Sequence, residues 1–368
     1  MQAVVLVGGR GTRLRPVTYD IPKSLVPLRN RPFMGYMLDF LRRGGLDGAV
    51  LSLGYLPDPI QAYLSTKQDL DGFSVDYAVE DHALGTAGGI KNAERYLDGD
   101  TLIVVNGDVL TGMDLEKAIQ VHKASDALAT ITLTSVEDPT AYGLVEVDHE
   151  MLVHRFIEKP AADEVTTNLV NAGVYVLEPE VLGMIPAGRE VSIEREIFPE
   201  LQESGRLRAH ITSSYWRDIG TPRSYLAASH DVLSGAVGAA REEFEYLEVD
   251  PSVELGKNVK LLPPVSIAED CRISDLATIG GRSSLGKGSV VGEGAVVEGS
   301  ILLDGAEIEA GAVVRGSIIS PRARVGNDSI VRGLSVLGAG CVVGEGNVLD
   351  QGIRVNPGVV VSPRSLSF

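Results

Sequence analysis

A six-residue repeat in the last third of the chain limits its possible folds more than any other feature of the sequence. After about residue 252, an aliphatic residue followed by glycine recurs at multiples of six residues, with a slip in phase between residues 303 and 319. The examples are Leu285-Gly286, Val291-Gly292, Val325-Gly326, Leu337-Gly338 and Val343-Gly344. Such a repeat is typical of a left-handed β-helix, in which the aliphatic side chain fills the axis of a triangular prism and glycine permits its corners. Turn signals this frequent do not suit ordinary strands, so we predict a hexapeptide-repeat β-helix over residues 253–368.

The preceding residues, 1–235, alternate apolar strand-like runs with amphipathic helix-like stretches. The strand-like runs read AVVLVGG, AVLSLGY, SVDYAV, TLIVVNGD, ALATITLTS and NAGVYVL, and two helical stretches read FMGYMLDFLRRGG and LEKAIQVHKAS. This order predicts an α/β domain with a mostly parallel sheet that is covered on both faces. Such sheets bind ligands at the carboxyl ends of their strands. A helix opened by Thr221 and Pro222 should end this domain, which leaves residues 236–252 as a linker.

The composition excludes several classes of function. With 44% hydrophobic and 23% charged residues, the 368-residue chain has the composition of a globular protein. Its formal net charge of -17 argues against nucleic acid as a partner, because that binding needs a basic surface. No apolar run approaches the ~20 residues that span a bilayer, so we expect no membrane partner. The first residues do not have the pattern of a signal peptide.

The cysteines and the solenoid lead to two further expectations. Cys271 and Cys341 are the two cysteines, and neither has neighbours in sequence that would complete a metal site. This usage is typical of a reducing compartment, so we expect a cytoplasmic protein. Because solenoids present edges and faces that can stack, we also expect a homo-oligomer.

A glycine-rich segment directly follows the first predicted strand and reads GGRGTRLRP over residues 8–16. Glycines let backbone N–H groups approach a triphosphate closely, and Arg13 can neutralise its charge. The segment is not a Walker A loop, because no Gly-Lys-Ser/Thr follows, and it lacks the third glycine of the dinucleotide fingerprint. Taken alone, it is equally compatible with a tight turn.

Three further residues have side chains suited to phosphate chemistry. Lys23 stands close to Pro22 and Pro27, and stiff backbone of this kind suits a fixed phosphate contact. Asp108 follows the strand-like run TLIVV, and a carboxylate at a strand end beside a phosphate pocket is a natural Mg²⁺ ligand. Asp218, in the segment WRDIGTP, is the partner that we expect for it. A lone aspartate at a strand end more often forms a turn or caps a helix, so the pair matters more than either residue.

The segment GGRGTRLRPVTYDIPKSLVPL, residues 8–28, resembles the signature GGxGTRLxPxT…PKPLxP of the nucleotide-sugar pyrophosphorylases. We call these residues the signature segment. Ser24 stands where that family commonly has proline, and the lysine before it is kept. The resemblance implies an enzyme that joins a sugar 1-phosphate to a nucleoside triphosphate and releases pyrophosphate. Its implied partners are therefore those two small molecules, and its implied cofactor is Mg²⁺.

The resemblance also implies roles for individual residues. It places the catalytic cations at Arg13 and Lys23, and the metal ligands at Asp108 and Asp218. It places nucleotide contacts at Leu6, Gly8, Gly9, Gly11, Thr12, Arg13, Gly85, Thr86 and Asp108. It places sugar-phosphate contacts at Gly143, Glu158, Lys159 and Asn171.

Two segments resemble the purine-selective branch of that family. LGTAGG, residues 84–89, is similar to the base-reading loop of mannose-1-phosphate guanylyltransferases, and the glutamine usual in thymidylyltransferases is absent. We therefore expect a purine, with guanine ahead of adenine. The segment SIEREIFP, residues 192–199, also resembles the guanylyltransferase branch. An amphipathic helix with Ile193, Ile197 and Leu201 facing inward explains its apolar residues, and its charges have no assigned role.

Alternatives to this function remain open. The same reaction could use another sugar or cyclitol phosphate, or ATP, because specificity depends on pocket shape and a few hydrogen bonds. A hexapeptide acyltransferase would need a histidine base, and all six histidines precede the solenoid. A non-enzymatic regulatory relative should have lost phosphate or metal residues, whereas Arg13, Lys23, Asp108 and Asp218 are all present.

Overall fold

The computed structural model describes residues 1–66, 72–237 and 245–367. The chain divides into two compact units. The first unit contains Met1–Arg10 and Met34–Trp216, and the second contains Gly11–Phe33 and Arg217–Phe368. In the described part of the chain, no helix combines the length and apolar character needed to cross a bilayer.

The helices and the strands that precede the solenoid are bounded as follows. The helices are α1 (Phe33–Arg43), α2 (Pro57–Ser65), α3 (Gly85–Ala93), α4 (Leu115–Lys123), α5 (Glu180–Met184), α6 (Phe198–Glu203) and α7 (Pro222–Leu233). The strands are β1 (Gln2–Leu6), β2 (Pro27–Leu28), β3 (Arg31–Pro32), β4 (Gly48–Leu53), β5 (Ser74–Val79), β6 (Leu102–Asn106), β7 (Val109–Thr111), β8 (Ala129–Ser135), β9 (Gly143–Val147), β10 (Val153–Glu158), β11 (Leu169–Leu177), β12 (Leu207–Ile211) and β13 (Trp216–Asp218).

The first unit is built on a mixed sheet whose centre is parallel. β6, β1, β4 and β5 are neighbours in that order and run parallel, and β8 pairs in parallel with β12. The apolar runs of the central strands are buried, as parallel strands covered on both faces require. β11 runs antiparallel to β6, β8 and β9. The prediction of an α/β domain with a mostly parallel sheet is therefore confirmed, and the reversed direction of β11 is an addition that the sequence pattern did not reveal.

The second unit contains the solenoid, whose short strands form three parallel sheets. One sheet contains β14 (Leu247–Val249), β17 (Val265–Ile267), β20 (Ser283–Leu285), β23 (Ile301–Leu302), β26 (Ile318–Ile319), β29 (Val336–Leu337) and β32 (Arg354–Val355); we call it the first solenoid sheet. A second sheet contains β15 (Glu254–Leu255), β18 (Arg272–Ile273), β21 (Val290–Val291), β24 (Glu307–Ile308), β27 (Arg324–Val325), β30 (Val342–Val343) and β33 (Val360–Val361). The third contains β16 (Lys260–Leu262), β19 (Thr278–Gly280), β22 (Val296–Glu298), β25 (Val313–Arg315), β28 (Ile330–Val331) and β31 (Val348–Leu349).

Each solenoid strand pairs with the third strand after it, which is the connectivity of a β-helix with three sides. The aliphatic residues of the repeat, such as Leu285, Val291 and Val325, are buried together along the axis. The predicted left-handed β-helix is therefore confirmed. Its first paired strand, β14, lies within the segment assigned to a linker, and residues 238–244 of that segment lie outside those described. The domain boundaries stay a prediction.

The slip in the repeat has a structural explanation. Most coils separate paired positions by 18 residues, but the middle coils separate them by 17. The missing residue falls between the inward-facing Val297 and Leu302, and again between Val314 and Ile319. The first deletion thus lies just before the range that the sequence pattern suggested. Because the deletions come in successive coils, the strands stay in register and the repeat resumes afterwards.

The outer face of the first solenoid sheet is covered within the second unit. Ile301, Ile318 and Val336 lie on that face, opposite the inward-facing cluster, and each is at most 1% exposed. α7 contacts β20 on this sheet, and His230 of α7 bonds the carbonyl oxygen of Gly299 at 2.9 Å. Burial of aliphatic side chains on both faces of a sheet stabilises the packing of whatever covers it.

The residues of the signature segment and those just after it also contact this sheet. Arg29 Nε donates to Glu248 Oε2 at 2.8 Å, and Asn30 Nδ2 donates to Ser266 Oγ at 3.0 Å. At the far end of the sheet, Arg354 donates to two backbone carbonyls of the signature segment. The segment therefore runs along the solenoid in the second unit.

Candidate active site

Three predicted site residues of the second unit meet at Gly220. A β-carbon at this glycine would lie 2.7 Å from Asp218 Oδ1, 2.8 Å from Arg13 Nη2 and 3.0 Å from Lys23 Nζ. Gly220 N–H donates to Asp218 Oδ1 at 2.6 Å, and Arg13 Nη2 lies 3.7 Å from Asp218 Oδ2. The structure thus brings together two cations and a carboxylate that are about 200 positions apart in the chain. Sequence reasoning missed Gly220, although it stands two residues after Asp218.

Local backbone structure presents Arg13 and its neighbour Thr12 in a short 3₁₀ turn, Thr12–Leu14. Gly11 precedes the turn with φ +58°, a conformation that glycine adopts without strain. Its carbonyl oxygen accepts hydrogen bonds from Leu14 N at 3.0 Å and from Thr18 Oγ1 at 2.7 Å. Leu14 is fully buried, whereas the side chain of Arg13 is 56% exposed. The turn therefore anchors its apolar residue and leaves the guanidinium accessible.

Lys23 opens a second short turn, Lys23–Leu25, directly after Pro22. Leu25 N donates to the carbonyl oxygen of Pro22 at 2.8 Å. Ser24, the departure from the family signature, is buried, and its hydroxyl has no hydrogen-bond partner. The expected stiff placement of the lysine is consistent with this geometry.

Residues suited to a magnesium ion occur in both units. Asp218 offers a half-buried carboxylate beside the two cations, and carboxylate oxygens are the ligands that Mg²⁺ prefers. In the first unit, Asp108 follows β6, and Asn106 of β6 has a buried side-chain oxygen without a hydrogen-bond partner. Among the described residues, no group of three or more His, Cys, Asp or Glu side chains is arranged around a common point. Such donors suit an ion that takes one or two carboxylates and completes its shell with phosphates and water.

Several residues of the first unit that were predicted to contact the nucleotide lie at or just after the ends of β1 and β6. Leu6 pairs in register with Asn106, and Gly107 N donates to the carbonyl oxygen of Leu6 at 2.9 Å, so Leu6 and Asp108 lie close in this unit. A β-carbon at Gly8 would lie 3.1 Å from Glu80 Oε1. A β-carbon at Gly9 would meet no atom within 4 Å. The protein's own packing therefore restricts position 8 and leaves space at position 9.

Glu80 connects the glycines to residues 84–89, the segment that was predicted to read the base and that we call the base-reading loop. Its Oε1 accepts from Ser52 Oγ at 2.7 Å, and its Oε2 accepts from Leu84 N at 3.1 Å. Gly89 has no room for a side chain, because a β-carbon there would lie 2.7 Å from Ser52 Oγ. Sequence reasoning quoted Glu80 only as the start of the loop, and no pattern in the sequence indicates this bonding role.

Gly85 and Thr86 begin α3 and contact the segment 191–194. A β-carbon at Gly85, whose φ is +71°, would lie 2.6 Å from the carbonyl oxygen of Val191. Thr86 Oγ1 donates to Glu194 Oε2 at 2.8 Å and accepts from Ile193 N at 2.8 Å. A π-helical turn, Ile193–Ile197, leads into α6. The inward positions expected from the pattern, Ile193, Ile197 and Leu201, are all buried.

The residues that were predicted to contact the sugar phosphate lie at the edge formed by β9, β10 and β11. Gly143 pairs in register with Glu158, and a β-carbon at Gly143 would lie 3.1 Å from Glu158 Oε2. Lys159 follows with φ +54°, and its N–H donates to the carbonyl oxygen of Tyr142 at 3.0 Å. Lys159 Nζ lies 3.5 Å from Glu158 Oε1 and its side chain is 61% exposed. A cation and an acceptor thus stand side by side, facing solvent.

Asn171 lies beside this edge, because its neighbour Val170 pairs with Leu144. Its Oδ1 accepts from Gly173 N at 2.8 Å, and its Nδ2 donates to Tyr175 Oη at 2.8 Å. Both the oxygen and the nitrogen of the Asn171 side-chain amide are therefore already hydrogen-bonded within β11. Burial raises the pKa of Tyr175 well above its usual value, and the nearby Glu194 carboxylate raises it further, so this phenol stays neutral.

Trp216 is a further residue of this region that sequence reasoning did not single out. Its Nε1 donates to the carbonyl oxygen of Ala172 at 2.8 Å. Its ring meets that of Tyr142 edge to face, with centroids 5.3 Å apart. The pair fixes the Tyr142–Gly143 turn against β11. The segment YWRDIGTP, which also contains Asp218, was the sequence signal that could have indicated Trp216.

Comparison with known proteins identifies the family. The family described as Nucleotidyl transferase matches residues 2–235. The chain belongs to the nucleotidyl transferase family. A second family, described as GMPPB C-terminal domain, matches residues 261–365, which is most of the solenoid.

Relatives of this nucleotidyl transferase include proteins named for different nucleotides. It is 41% identical over 237 residues to mannose-1-phosphate guanylyltransferase of Mycobacterium tuberculosis, a match that covers 64% of this chain and 65% of that protein. It is 33% identical over 295 residues to UTP–glucose-1-phosphate uridylyltransferase of Synechocystis, covering 75% and 76%. Among solved structures, HddC from Yersinia pseudotuberculosis complexed with GMP-PN superposes with a TM-score of 0.55 at 32% identity. That match covers 63% of this chain and 99% of that one.

Proposed function

We propose that this nucleotidyl transferase transfers GMP from GTP to mannose 1-phosphate, releasing pyrophosphate and forming a GDP-sugar. The observation that carries the proposal is the convergence of Arg13, Lys23 and Asp218 on Gly220. A chain with a net charge of -17 must concentrate its cations where it handles phosphate. Two cations and a carboxylate in contact, within residues that match this family, are what such a site needs.

The reaction needs positioning and charge stabilisation, and it needs no nucleophilic side chain. An oxygen of the sugar phosphate attacks the α-phosphorus in line. A new phosphorus–oxygen bond forms, the bond to the β-phosphate bridge breaks, and pyrophosphate leaves with its electron pair. Arg13 and Lys23 neutralise charge that develops on the triphosphate. Lys159 binds the sugar phosphate, and Glu158 accepts hydrogen bonds from sugar hydroxyls.

We also propose that Asp108 and Asp218 would hold Mg²⁺. When bound, the ion neutralises phosphate charge and polarises phosphoryl oxygens. The residue types support this assignment, since hard carboxylate oxygens suit Mg²⁺. The nucleotide contacts are proposed at Leu6, Gly8, Gly9, Gly11, Thr12, Gly85 and Thr86, and the remaining sugar contacts at Gly143 and Asn171.

Guanine is the proposed base, and mannose 1-phosphate is the proposed sugar phosphate. The names of the mycobacterial relative and of the HddC complex support guanine, whereas the Synechocystis relative is named for UTP and glucose 1-phosphate. Another sugar or cyclitol phosphate, or ATP, would use the same phosphate contacts. We further propose a cytoplasmic protein, because Cys271 and Cys341 are both unpaired and buried, which suits a reducing compartment. We propose a homo-oligomer, because the edges and faces of a solenoid can stack.

The deciding experiment measures pyrophosphate release with Mg²⁺, testing each nucleoside triphosphate against a panel of sugar 1-phosphates. Turnover with GTP and mannose 1-phosphate, lost in Lys23→Ala while the thermal midpoint is kept, is the expected result. Turnover with GTP and another sugar phosphate would retain the mechanism and change the product. No turnover with any pair, from folded protein, would favour the regulatory relative, which the retained Arg13 and Asp218 now argue against.

A further inference from the structure

The segment 189–194, whose charges had no role in the sequence analysis, lies along the base-reading loop. The carbonyl oxygen of Val191 accepts hydrogen bonds from Ala87 N at 2.9 Å and from Gly88 N at 3.3 Å. Val191 N donates in turn to the carbonyl oxygen of Leu84 at 2.8 Å. A β-carbon at Gly88 would lie 2.9 Å from the carbonyl oxygen of Arg189. The loop and the segment therefore form one hydrogen-bonded unit.

Glu194 makes the side-chain contacts within this unit. Its Oε2 accepts from Thr86 Oγ1 at 2.8 Å and from Ser192 Oγ at 2.8 Å. Because a threonine hydroxyl has a single proton, the bond to Glu194 takes the only hydrogen that Thr86 Oγ1 can donate. Ile193 N donates to the same hydroxyl at 2.8 Å, which fixes its rotamer. Thr86 thus offers no hydroxyl donor to a bound base.

The backbone donors of the loop are restricted in the same way. The amides of Leu84, Ala87 and Gly88 are bonded to other groups. Gly85 and Thr86 are the first two residues of α3, where backbone N–H groups have no acceptor within the helix. Guanine presents an acceptor, O6, where adenine presents an amino donor. A loop held in this arrangement offers backbone N–H donors that can bond guanine O6, an acceptor that adenine lacks at that position.

Glu194 also influences a residue next to the predicted sugar contacts. Burial raises the pKa of the Tyr175 phenol, and the carboxylates of Glu194 and Glu158 raise it further. Tyr175 accepts the hydrogen bond of Asn171, one of the proposed sugar contacts. A single half-buried carboxylate is therefore bonded to the base-reading loop and lies close to the strand that holds Asn171.

We propose that Glu194 is a positioning residue for base selection, which acts by holding the Thr86 hydroxyl and the Leu84–Gly88 loop in a form that favours GTP over ATP. This inference rests on the proposed function, because that function assigns the loop to the base. It goes further in naming the side chain outside the loop on which the preference depends. Glu194 itself does not need to touch the nucleotide.

The test compares Glu194→Ala with Glu194→Gln and with Glu196→Ala. Gln keeps an oxygen that can accept from Thr86 and Ser192, so it should rescue the loop. Glu196 is the matched control, because it is a neighbouring carboxylate that bonds Arg189 and the Ser192 amide and does not contact the loop. For each protein, kcat and KM are measured with GTP and with ATP. Hydrogen exchange of the Ala87 and Gly88 amides is measured without substrate.

We expect Glu194→Ala to lower the ratio of kcat/KM for GTP to that for ATP about tenfold, because the carboxylate that holds the Thr86 and Ser192 hydroxyls is removed. The Ala87 and Gly88 amides should exchange faster. Glu194→Gln and Glu196→Ala should stay within about threefold of the wild type in the ratio.

An equal fall with both nucleotides would show a general structural role and overturn the proposal. So would an unchanged ratio with unchanged exchange. If the wild-type protein uses no nucleoside triphosphate, the proposed function fails by itself. In that case unchanged exchange in Glu194→Ala still overturns the positioning role, and faster exchange supports it.

Discussion

Replacing Gly220 by alanine tests the arrangement of the site most directly. The added β-carbon would lie 2.7 Å from Asp218 Oδ1, 2.8 Å from Arg13 Nη2 and 3.0 Å from Lys23 Nζ. Non-bonded contacts of this kind are normally at ~3.5 Å or more, so at least one polar group must move by roughly 0.7 Å. The closest contact is with Asp218 Oδ1, which Gly220 N–H also bonds, and the two cations are the ends of flexible side chains. We expect the carboxylate and the cations to be displaced.

A displacement of this size predicts a loss of turnover out of proportion to the loss of stability. Misplacement of catalytic groups by ~1 Å costs about 100-fold in rate, so we expect kcat to fall roughly 10- to 100-fold in Gly220→Ala. That corresponds to about 1.4–2.7 kcal/mol of transition-state stabilisation. Gly220 does not have a positive φ, so backbone strain adds nothing, and overpacking should cost no more than ~1–3 kcal/mol of unfolding free energy.

The assay measures steady-state pyrophosphate release together with the free energy of unfolding in urea. Gly183→Ala is the control, because a β-carbon there would meet no atom within 4 Å. It lies in α5, so it should raise stability by roughly 0.4–1 kcal/mol and leave kcat unchanged. A wild-type kcat in Gly220→Ala would refute the reasoning, because it would mean that the three groups can separate without cost to the reaction.

Three further substitutions test other contacts in the structure. Gly9→Ala should fold with wild-type stability, since the protein leaves space for a β-carbon there. If the triphosphate lies in that space, the variant should raise the KM for GTP at least about tenfold. Equal KM values in the variant and the wild type would place the nucleotide elsewhere. Arg354 bonds two carbonyl oxygens of the signature segment at 3.1 and 3.2 Å, so Arg354→Ala should raise the KM for GTP a few-fold and speed hydrogen exchange in that segment. The control Arg332→Ala, which removes a solenoid ion pair with Asp350, should do neither. Burial lowers the pKa of His230 below its ordinary value of 6.5, so the unfolded chain binds the extra proton first and stability should fall as pH drops below about 6.5. A melting-temperature series in His230→Asn should show a flatter pH dependence there, and an unchanged slope would exclude His230 as its source.

Much of the architecture could be predicted because its signals are periodic or contiguous. The six-residue repeat gave the β-helix, since each aliphatic residue must reach the same axis whatever the rest of the chain does. The strand–helix alternation gave the α/β unit. The signature segment placed Arg13 and Lys23, because glycine and proline positions fix a turn locally. The two deletions, at Val297–Leu302 and Val314–Ile319, appeared in the sequence only as a shift in the phase of the repeat. Their positions depend on which strands pair between neighbouring coils, and the sequence pattern does not show that pairing.

The tertiary structure alone decided which distant residues act together. Gly220 is required by the convergence of side chains about 200 positions away in the chain, and Glu194 reaches Thr86 across 108 positions. The reversed direction of β11, which brings Asn171 beside Gly143 and Glu158, is likewise set by pairing with β6, β8 and β9. No pattern within a short window contains such information, since a hydrogen bond or a close approach depends on where both partners are placed by packing. The sequence by itself determined the elements and the chemical groups, and packing decided which of those groups meet.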